Sequence, residues 1–288
     1  MLSSHRRRRA WSATLALVVG LLLAPAGPGA AAPPDQPWAE LRAQSRQVLA
    51  ALVDEHTAVA SDGEAVSMRP RLVVVGFTGG LERENSRVSG VVRLRRRIED
   101  HVGDAPGVVA RAYSNFAWRR ATDDVLALAA EGPPPVIVVY GHSWGGGAIT
   151  KFARAVGEGG LDVALAIYID AFTLRNPRVP GNVRYAMNIY QRTGLLRGLP
   201  LRGKSKLMAE APERTTVLAN LRVTPETEHF GWNWNLIQPI FYRHHHRIGH
   251  DLRIQRLLLD LVSLVAVPTE APDGVWPFSA GDSDAQYD

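Results

Sequence analysis

Residues Val136 to Gly147 read Val-Ile-Val-Val-Tyr-Gly-His-Ser-Trp-Gly-Gly-Gly, and this stretch decides the fold. Its first five residues are apolar and mostly β-branched, which predicts a buried strand over 136–140. Gly141, Ser143 and Gly145 follow in a G-x-S-x-G pattern. A serine between a buried strand and a helix stands on a tight turn, where side chains at the two glycine positions would collide with neighbouring backbone. The pattern predicts a reactive hydroxyl at Ser143, the alternative being a serine that caps the helix.

Apolar runs elsewhere in the chain alternate with amphipathic segments. The predicted strands cover 71–75, 108–113, 136–140, 163–169, 183–190 and 215–220. The predicted helices cover 38–59, 89–102, 122–130, 141–156 and 253–265. For the third helix, Thr122 or Asp123 is the predicted N-cap. Strands that are apolar throughout and alternate with helices predict a parallel sheet covered on both faces, with its functional site beyond the carboxyl ends of the strands.

With this strand, turn and helix, the chain resembles the α/β-hydrolases of the lipase and esterase kind, from about Arg71 to Val265. The resemblance implies the α/β-hydrolase fold, a central mostly parallel sheet with helices on both faces. It also implies a serine hydrolase that cleaves carboxylic esters through a Ser-His-Asp triad and an acyl-enzyme, with Ser143 as nucleophile and no cofactor. An acyltransferase, a peptidase or a non-catalytic binding protein on the same fold are the alternatives, because a fold does not fix function.

The resemblance further implies two backbone N–H donors that stabilise the oxyanion. One belongs to the residue after the nucleophile, Trp144. The other belongs to a glycine-rich loop after an earlier strand, here Gly76 to Gly80, in which Phe77 is the first candidate and Thr78 the second. Val75 stands where many family members have a histidine. The alternative interpretation of this loop is a plain flexible turn.

The acid of the triad follows the nucleophile along the chain in this family. Asp170 comes directly after the predicted strand 163–169, where its carboxylate would face the site. The usual alternative position follows the next strand, but residues 171–209 contain no aspartate or glutamate. This absence favours Asp170 as the acid, the alternative being an aspartate that caps a loop.

The base must be a histidine late in the chain. The candidates are His229, His244, His245, His246 and His250. His245 precedes the closing helix and opens a His-x-x-Ile-x-x-Asp-x-x-Ile pattern that resembles the ending of some secreted lipase-like members. His229 lies a few residues beyond the predicted strand 215–220 and stays open as the alternative. In the family, the histidine at the position of His142 is usually structural.

The three consecutive histidines at 244–246 could instead suggest a metal site. Consecutive residues do not converge easily on one ion, and no acidic cluster accompanies them, so the sequence predicts no metal. The predicted partner is a small-molecule or lipid ester, with at most peripheral contact with a membrane.

Composition and charge narrow the class of protein. The 288 residues are 46% hydrophobic, enough for a large core, and the absence of cysteine excludes a thiol nucleophile and disulfides. The net charge of +5 owes four positives to Arg6–Arg9, and the remaining chain carries 29 basic and 28 acidic side chains. A nucleic-acid partner is therefore not expected.

The two ends of the sequence differ in character from the middle. Residues 1–32 combine a basic start, an apolar run and a small-residue end, which is typical of a signal peptide. We therefore expect a secreted, periplasmic or cell-envelope protein, an uncleaved anchor or a disordered tail being the alternatives. The hydrolase domain is predicted over 33–268, followed by a flexible tail over 269–288.

Overall fold

The computed structural model describes residues 36–60, 72–102, 107–173, 176–192, 203–225 and 245–266. The chain divides into a leading unit, Met1–Ala39, and a second unit, Glu40–Asp288, which contains the strands. The predicted signal peptide, the predicted tail, His229 and His244 all lie outside the described residues and stay predictions. Within the described ranges, no helix has the length and apolar character needed to cross a membrane.

Six parallel strands form the central sheet. The strands of the described chain are β1 (Leu72–Phe77), β2 (Val108–Tyr113), β3 (Val136–His142), β4 (Val163–Ile169), β5 (Arg178–Val179), β6 (Val183–Gln191), β7 (Met208–Ala209) and β8 (Thr216–Val223). The sheet runs in the order β2-β1-β3-β4-β6-β8, and β5 pairs with β7 separately. Val139 in the middle of β3 pairs with Val75 on one side and Ala166 on the other. The predicted mostly parallel sheet is confirmed.

Helices cover both faces of this sheet. These are α2 (Gly90–Val102), α3 (Trp118–Ala130), α4 (Gly145–Glu158) and α5 (Leu252–Ala266), and a further helix, α1 (Gln36–Ala60), precedes the first strand in the chain. Val73, Val75 and Phe77 of β1 belong to a core that also contains side chains of α3 and α4. On the opposite face the Tyr140 hydroxyl donates to the carbonyl oxygen of Val91 in α2, at 3.0 Å. Burial on both faces explains why β1, β3 and β4 are buried at every position and apolar at almost all of them.

The structure corrects several predicted element boundaries. Helix α3 begins at Trp118 instead of Thr122, and its N-cap is Ala117, which makes no side-chain cap. Thr122 is not a cap, because it lies inside the helix and its hydroxyl donates to the Trp118 carbonyl oxygen at 3.0 Å. A helix start without a Ser, Thr, Asp or Asn cap leaves no signal in the sequence, so the first turn was missed.

Strands β1 and β3 each continue two residues beyond their predicted ends, to Phe77 and His142. Helix α4 accordingly begins at Gly145, four residues later than predicted. Both strands lie inside the sheet, where neighbours on both sides supply hydrogen-bond partners even to glycines that have low strand propensity. The sheet therefore extends to the residue directly before Ser143.

Candidate active site

The turn between β3 and α4 holds Ser143 in a left-handed backbone conformation, with a φ of 57°. Its backbone N–H donates to the carbonyl oxygen of Ile169 at 3.0 Å, which ties the turn to the end of β4. A Cβ atom at Gly145 would lie 2.2 Å from the carbonyl oxygen of Phe77, so the turn packs this closely against β1 only because Gly145 has no side chain. This is the geometry that a G-x-S-x-G pattern requires at a strand-to-helix turn.

Asp170 occupies the equivalent position at the end of the neighbouring strand, β4. It also has a left-handed backbone, with a φ of 43°, and it is completely buried. Its Oδ1 accepts a hydrogen bond from the backbone N–H of Gln191 at 3.3 Å, and its Oδ2 accepts one from Gln191 Nε2 at 3.1 Å. The carboxylate is thus fixed by the residue that ends β6.

His245 opens a short helical turn over 245–248 and joins the two strand-end residues. Its Nδ1 lies 2.7 Å from Asp170 Oδ2, and its Nε2 lies 2.7 Å from Ser143 Oγ. A carboxylate only accepts hydrogen bonds, so Nδ1 carries the proton and Nε2 accepts from the serine hydroxyl. The structure therefore brings Ser143, His245 and Asp170 into one chain of hydrogen bonds, in an order that allows Nε2 to take the serine proton.

Trp144, the predicted first oxyanion donor, is the N-cap residue of α4. The first N–H groups of a helix have no acceptor within the helix, and they carry the positive end of its dipole. Helix α4 therefore directs partial positive charge at the turn that holds Ser143. Trp144, which directly follows Ser143, is 43% exposed.

The predicted second donor, Phe77, lies at the end of β1 with pairing partners on both sides, Tyr113 and Gly141. The next N–H, that of Thr78, donates to the carbonyl oxygen of Tyr113 at 2.9 Å. Successive N–H groups of a strand point in opposite directions, so that of Phe77 faces β3 inside the sheet. This orientation disfavours both as oxyanion donors, and the role of Phe77 stays a prediction.

The structure places Gly79 of this loop against Ser143. A Cβ atom at Gly79 would lie 3.0 Å from the Cβ of Ser143 and 3.1 Å from Nδ1 of His142. Sequence reasoning missed Gly79 as a candidate donor because it ended β1 at Val75, two residues early. Because β1 ends at Phe77, the loop starts two residues later. The first backbone N–H that is free of the sheet hydrogen bonds is therefore expected nearer to Gly79.

A model of the alpha/beta hydrolase family matches residues 72–278 of the sequence, from β1 to beyond α5. The chain belongs to this family. The matched range contains Ser143, Asp170 and His245, and membership supports hydrolase chemistry at the end of the sheet where they meet. None of the curated proteins matches the sequence of this hydrolase.

Several solved structures resemble this α/β-hydrolase at low sequence identity. A cutinase-like protein from Cryptococcus sp. is 12% identical, with 68% of this chain and 95% of that chain covered and a TM-score of 0.34. An acetyl xylan esterase is 13% identical, with coverages of 68% and 99% and a TM-score of 0.35. The RedJ thioesterase of the prodiginine pathway in Streptomyces coelicolor is 12% identical, with coverages of 70% and 96% and a TM-score of 0.36.

Other histidines of this hydrolase pack around His245: the His142 ring contacts those of His245 and His246, and the His246 ring contacts that of His250. Nε2 of His142 lies 2.8 Å from the carbonyl oxygen of His245. His246 Nε2 lies 3.3 Å from Glu82 Oε1, in the loop after β1, and His250 Nε2 donates to the Val88 carbonyl oxygen at 3.1 Å. These contacts hold the turn at 245–250 against the loop that follows β1. No group of three or more histidine or acidic side chains in the described ranges has the arrangement of a metal site.

Burial controls the charge of two of these rings. Burial, reinforced by the positive charge of protonated His245, lowers the pKa of His142 to about 4. Burial and the charge of protonated His246 lower the pKa of His250 to about 3. Both rings are therefore neutral at neutral pH.

The turn at 245–250 also contacts the start of helix α2 through its backbone. A Cβ atom at Gly90 would lie 2.0 Å from the carbonyl oxygen of Gly249, so the two main chains touch directly. Asp251, which follows the turn, is buried and accepts hydrogen bonds from the Arg253 backbone and guanidinium. His245 thus belongs to a compact turn that contacts α2 and precedes α5, apart from the strands that Ser143 and Asp170 follow.

Sequence reasoning missed two residues that hold the acid. Gln191 donates to both carboxylate oxygens of Asp170. The sequence does contain a signal for this residue, because Gln191 is a polar residue at the end of the mostly apolar strand β6. Gly203 has no such signal. A Cβ atom there would lie 2.2 Å from Asp170 Oδ1, so it packs directly on the acid from a segment 33 residues away in sequence.

Proposed function

We propose that this α/β-hydrolase is a serine esterase that cleaves carboxylic esters through an acyl-enzyme. The observation that carries the proposal is the pair of 2.7 Å contacts that join His245 to Ser143 Oγ and to Asp170 Oδ2. A hydroxyl on a strained strand-to-helix turn, in contact with an oriented imidazole, is the arrangement that acyl transfer needs.

In the proposed first step, His245 Nε2 takes the proton of Ser143 as Oγ attacks the ester carbonyl carbon. The negative charge of Asp170 stabilises the imidazolium that forms. Collapse of the tetrahedral intermediate breaks the bond to the alcohol oxygen, which receives the proton from Nε2. Water then repeats the sequence on the acyl-enzyme, releasing the carboxylic acid and restoring the Ser143 hydroxyl.

The oxyanion of each tetrahedral intermediate needs two donors above Ser143. We assign one to the backbone N–H of Trp144, at the start of α4. For the second, the position of Gly79 against the Cβ of Ser143 favours its backbone N–H over that of Phe77 or Thr78. Both donors are backbone groups of tightly held segments, so little reorganisation accompanies charge development.

Exposed apolar side chains support an ester with an apolar part. Leu81, Phe116 and Trp144 are exposed, and they follow the carboxyl ends of β1, β2 and β3 respectively. Large apolar side chains grouped at the functional edge of a sheet commonly contact ligands. We therefore propose a small-molecule or lipid ester as substrate. On the separate basis of the signal-peptide pattern of residues 1–32, we propose that the protein is exported and acts on this substrate outside the cytoplasm.

A series of p-nitrophenyl esters of rising acyl length tests this function, together with labelling by a fluorophosphonate probe. Wild type should turn over esters and take up one probe at Ser143. Ser143→Ala and His245→Ala should lose turnover by at least about 10³-fold. His229→Ala is the matched control among the late histidines, and it should keep turnover near that of wild type.

Two results would favour the alternatives. Equal labelling of wild type and Ser143→Ala, or no labelling of either, would indicate a binding protein on this fold. Transfer of most acyl groups to an added acceptor alcohol at low concentration would indicate an acyltransferase, because water at about 55 M would otherwise dominate the release step.

A further inference from the structure

The residue that precedes the nucleophile contacts the main chain of the base. His142 Nε2 lies 2.8 Å from the carbonyl oxygen of His245, and both residues are buried. A carbonyl oxygen only accepts, so Nε2 of His142 carries the proton and donates it. The two imidazole rings also pack together, with centroids 4.7 Å apart and an interplanar angle of 35°.

Two glycines border the His142 ring. A Cβ atom at Gly79 would lie 3.1 Å from His142 Nδ1, and one at Gly249 would lie 3.4 Å from His142 Cγ. The ring therefore lies in a slot between the loop after β1 and the turn at 245–250. A side chain confined in this way holds its hydrogen bond in one geometry, because its rotamer freedom has already been lost on folding.

We infer that His142 is a positioning residue that fixes the main chain of His245, and thereby the distance between the base and the nucleophile. His142 and Ser143 are consecutive, so the end of β3 holds His245 twice, once by its carbonyl oxygen and once by its Nε2. A displacement of the turn would break both contacts together. The inference rests on the proposed function, in which His245 is the base.

The position matters because proton transfer and attack depend steeply on geometry. A misplacement of about 1 Å can lower a rate by about 10²-fold. The side chain of His245 donates to Asp170 and accepts from Ser143, which both follow strand ends, but its backbone belongs to a separate turn. The bond from His142 is the one that links this backbone directly to the strand that carries the nucleophile.

The charged groups around His142 are consistent with a neutral positioning role. Glu82 faces it from the loop after β1, Asp170 from the end of β4, and His245 and His246 from the turn. A neutral His142 donates to the carbonyl without repelling the imidazolium that forms on His245. The low pKa of His142 keeps the ring neutral at neutral pH.

Three substitutions separate the hydrogen bond from polarity and volume. His142→Gln places an amide N–H as many bonds from Cα as the imidazole Nε2, whereas His142→Asn is one methylene shorter and His142→Leu has no donor. We expect His142→Asn and His142→Leu to lose about 10-fold or more in kcat with KM within about twofold of wild type. His142→Gln should keep kcat within about threefold, because it can restore the bond.

A second readout does not depend on turnover. The His245 Nδ1–H proton, which donates to Asp170, should give a low-field NMR signal that ¹⁵N-histidine labelling detects and His245→Ala removes. The signal should persist in His142→Gln and shift or broaden in His142→Asn and His142→Leu. Thermal unfolding shows whether each variant is folded. If His142→Leu does not fold, the comparison of His142→Gln with His142→Asn still tests the inference.

The inference is overturned if all three variants match wild type in kcat and in the His245 signal. It is equally overturned if His142→Gln loses as much as His142→Leu, because the ring would then act through its volume alone. A wild-type protein that neither hydrolyses esters nor labels with the probe refutes the proposed function instead, and the NMR comparison still tests how His142 holds His245.

Discussion

Ser143 and Asp170 leave the sheet in the same way, each as the first residue beyond its strand and each with a positive φ, of 57° and 43°. Their strands, β3 and β4, are neighbours in the sheet. Among the described residues other than glycine, Ser143 and Asp170 are the two with a positive φ. A left-handed backbone costs a residue with a side chain about 1–2 kcal/mol, and it persists only where the surrounding structure enforces it. Strain is therefore concentrated at the two positions that the proposed chemistry uses.

Relief of this strain should be measurable at Ser143. Ser143→Gly and Ser143→Ala both remove the hydroxyl, but only glycine adopts a φ of 57° without cost. We expect Ser143→Gly to be more stable than Ser143→Ala by about 1 kcal/mol, with no turnover or probe labelling in either. Denaturant unfolding of the two variants gives the difference directly, and a more stable alanine variant would contradict the argument.

Gln191 should matter for turnover although it is remote from the ester. Its Nε2 donates to the same oxygen of Asp170 that accepts from His245. Gln191→Met keeps the length of the side chain and removes the donor, which should lower kcat about 10-fold, the usual effect of losing a hydrogen bond to a charged group. KM should change little. Turnover equal to that of wild type would show that the backbone N–H of Gln191 alone holds the carboxylate.

Gly203 should tolerate no side chain. An added Cβ would lie 2.2 Å from Asp170 Oδ1 and 2.5 Å from the Asp170 carbonyl carbon, so the acid must move. We expect Gly203→Ala to lose about 10²-fold in kcat and about 1–3 kcal/mol in stability. Gly132→Ala is the matched control, because a Cβ there meets no atom within 4 Å. Retained turnover in Gly203→Ala would contradict the tight packing on the acid.

The buried histidines should make the folded state acid-sensitive. The pKa of His142 falls from 6.5 to about 4 on folding, and that of His250 falls from 6.5 to about 3. The unfolded chain therefore binds more protons below pH 6.5, so their contribution to stability is complete above that pH and is lost as the pH falls toward 4. Each histidine contributes a slope of about 1.4 kcal/mol per pH unit in this window.

The variant His142→Gln isolates one of these contributions. It removes one titrating group, so its unfolding free energy should fall less steeply than that of wild type between pH 6.5 and 4, by about 1.4 kcal/mol per unit. Urea unfolding at four or five pH values in this range measures both slopes. Parallel slopes would mean that His142 keeps an ordinary pKa in the folded protein.

The sequence carried enough information for the strand ends but not for what packs on them. The ranges predicted for β2 and β4 match the structure to the residue, because an apolar run bounded by polar residues or glycine is a local signal. For the same reason Ser143 and Asp170 could be placed directly after strand ends, the edge of a parallel sheet where functional sites lie.

Contacts between distant segments were not predictable in this way. His142 and His245 are separated by 103 residues. Their hydrogen bond depends on how the turn at 245–250 packs against the end of β3. The choice between His245 and His229 could not be made from spacing, because both lie late in the chain. The end of β1 was misjudged because sheet partners, which no local pattern reveals, extend it through Gly76 and Phe77.

Because His245 lies on its own turn, we expect the parts of the proposed triad to differ in stability on warming. Ser143 and Asp170 follow strands that are buried at every position, whereas the turn that carries His245 is held by contacts such as those of His245 with His142, His246 with Glu82 and Gly249 with Gly90. Small units held by few contacts open at lower free energy than a central sheet. Warming should therefore abolish the proposed turnover by local opening of this turn while the sheet stays folded. Cooling should restore turnover without refolding of the whole chain.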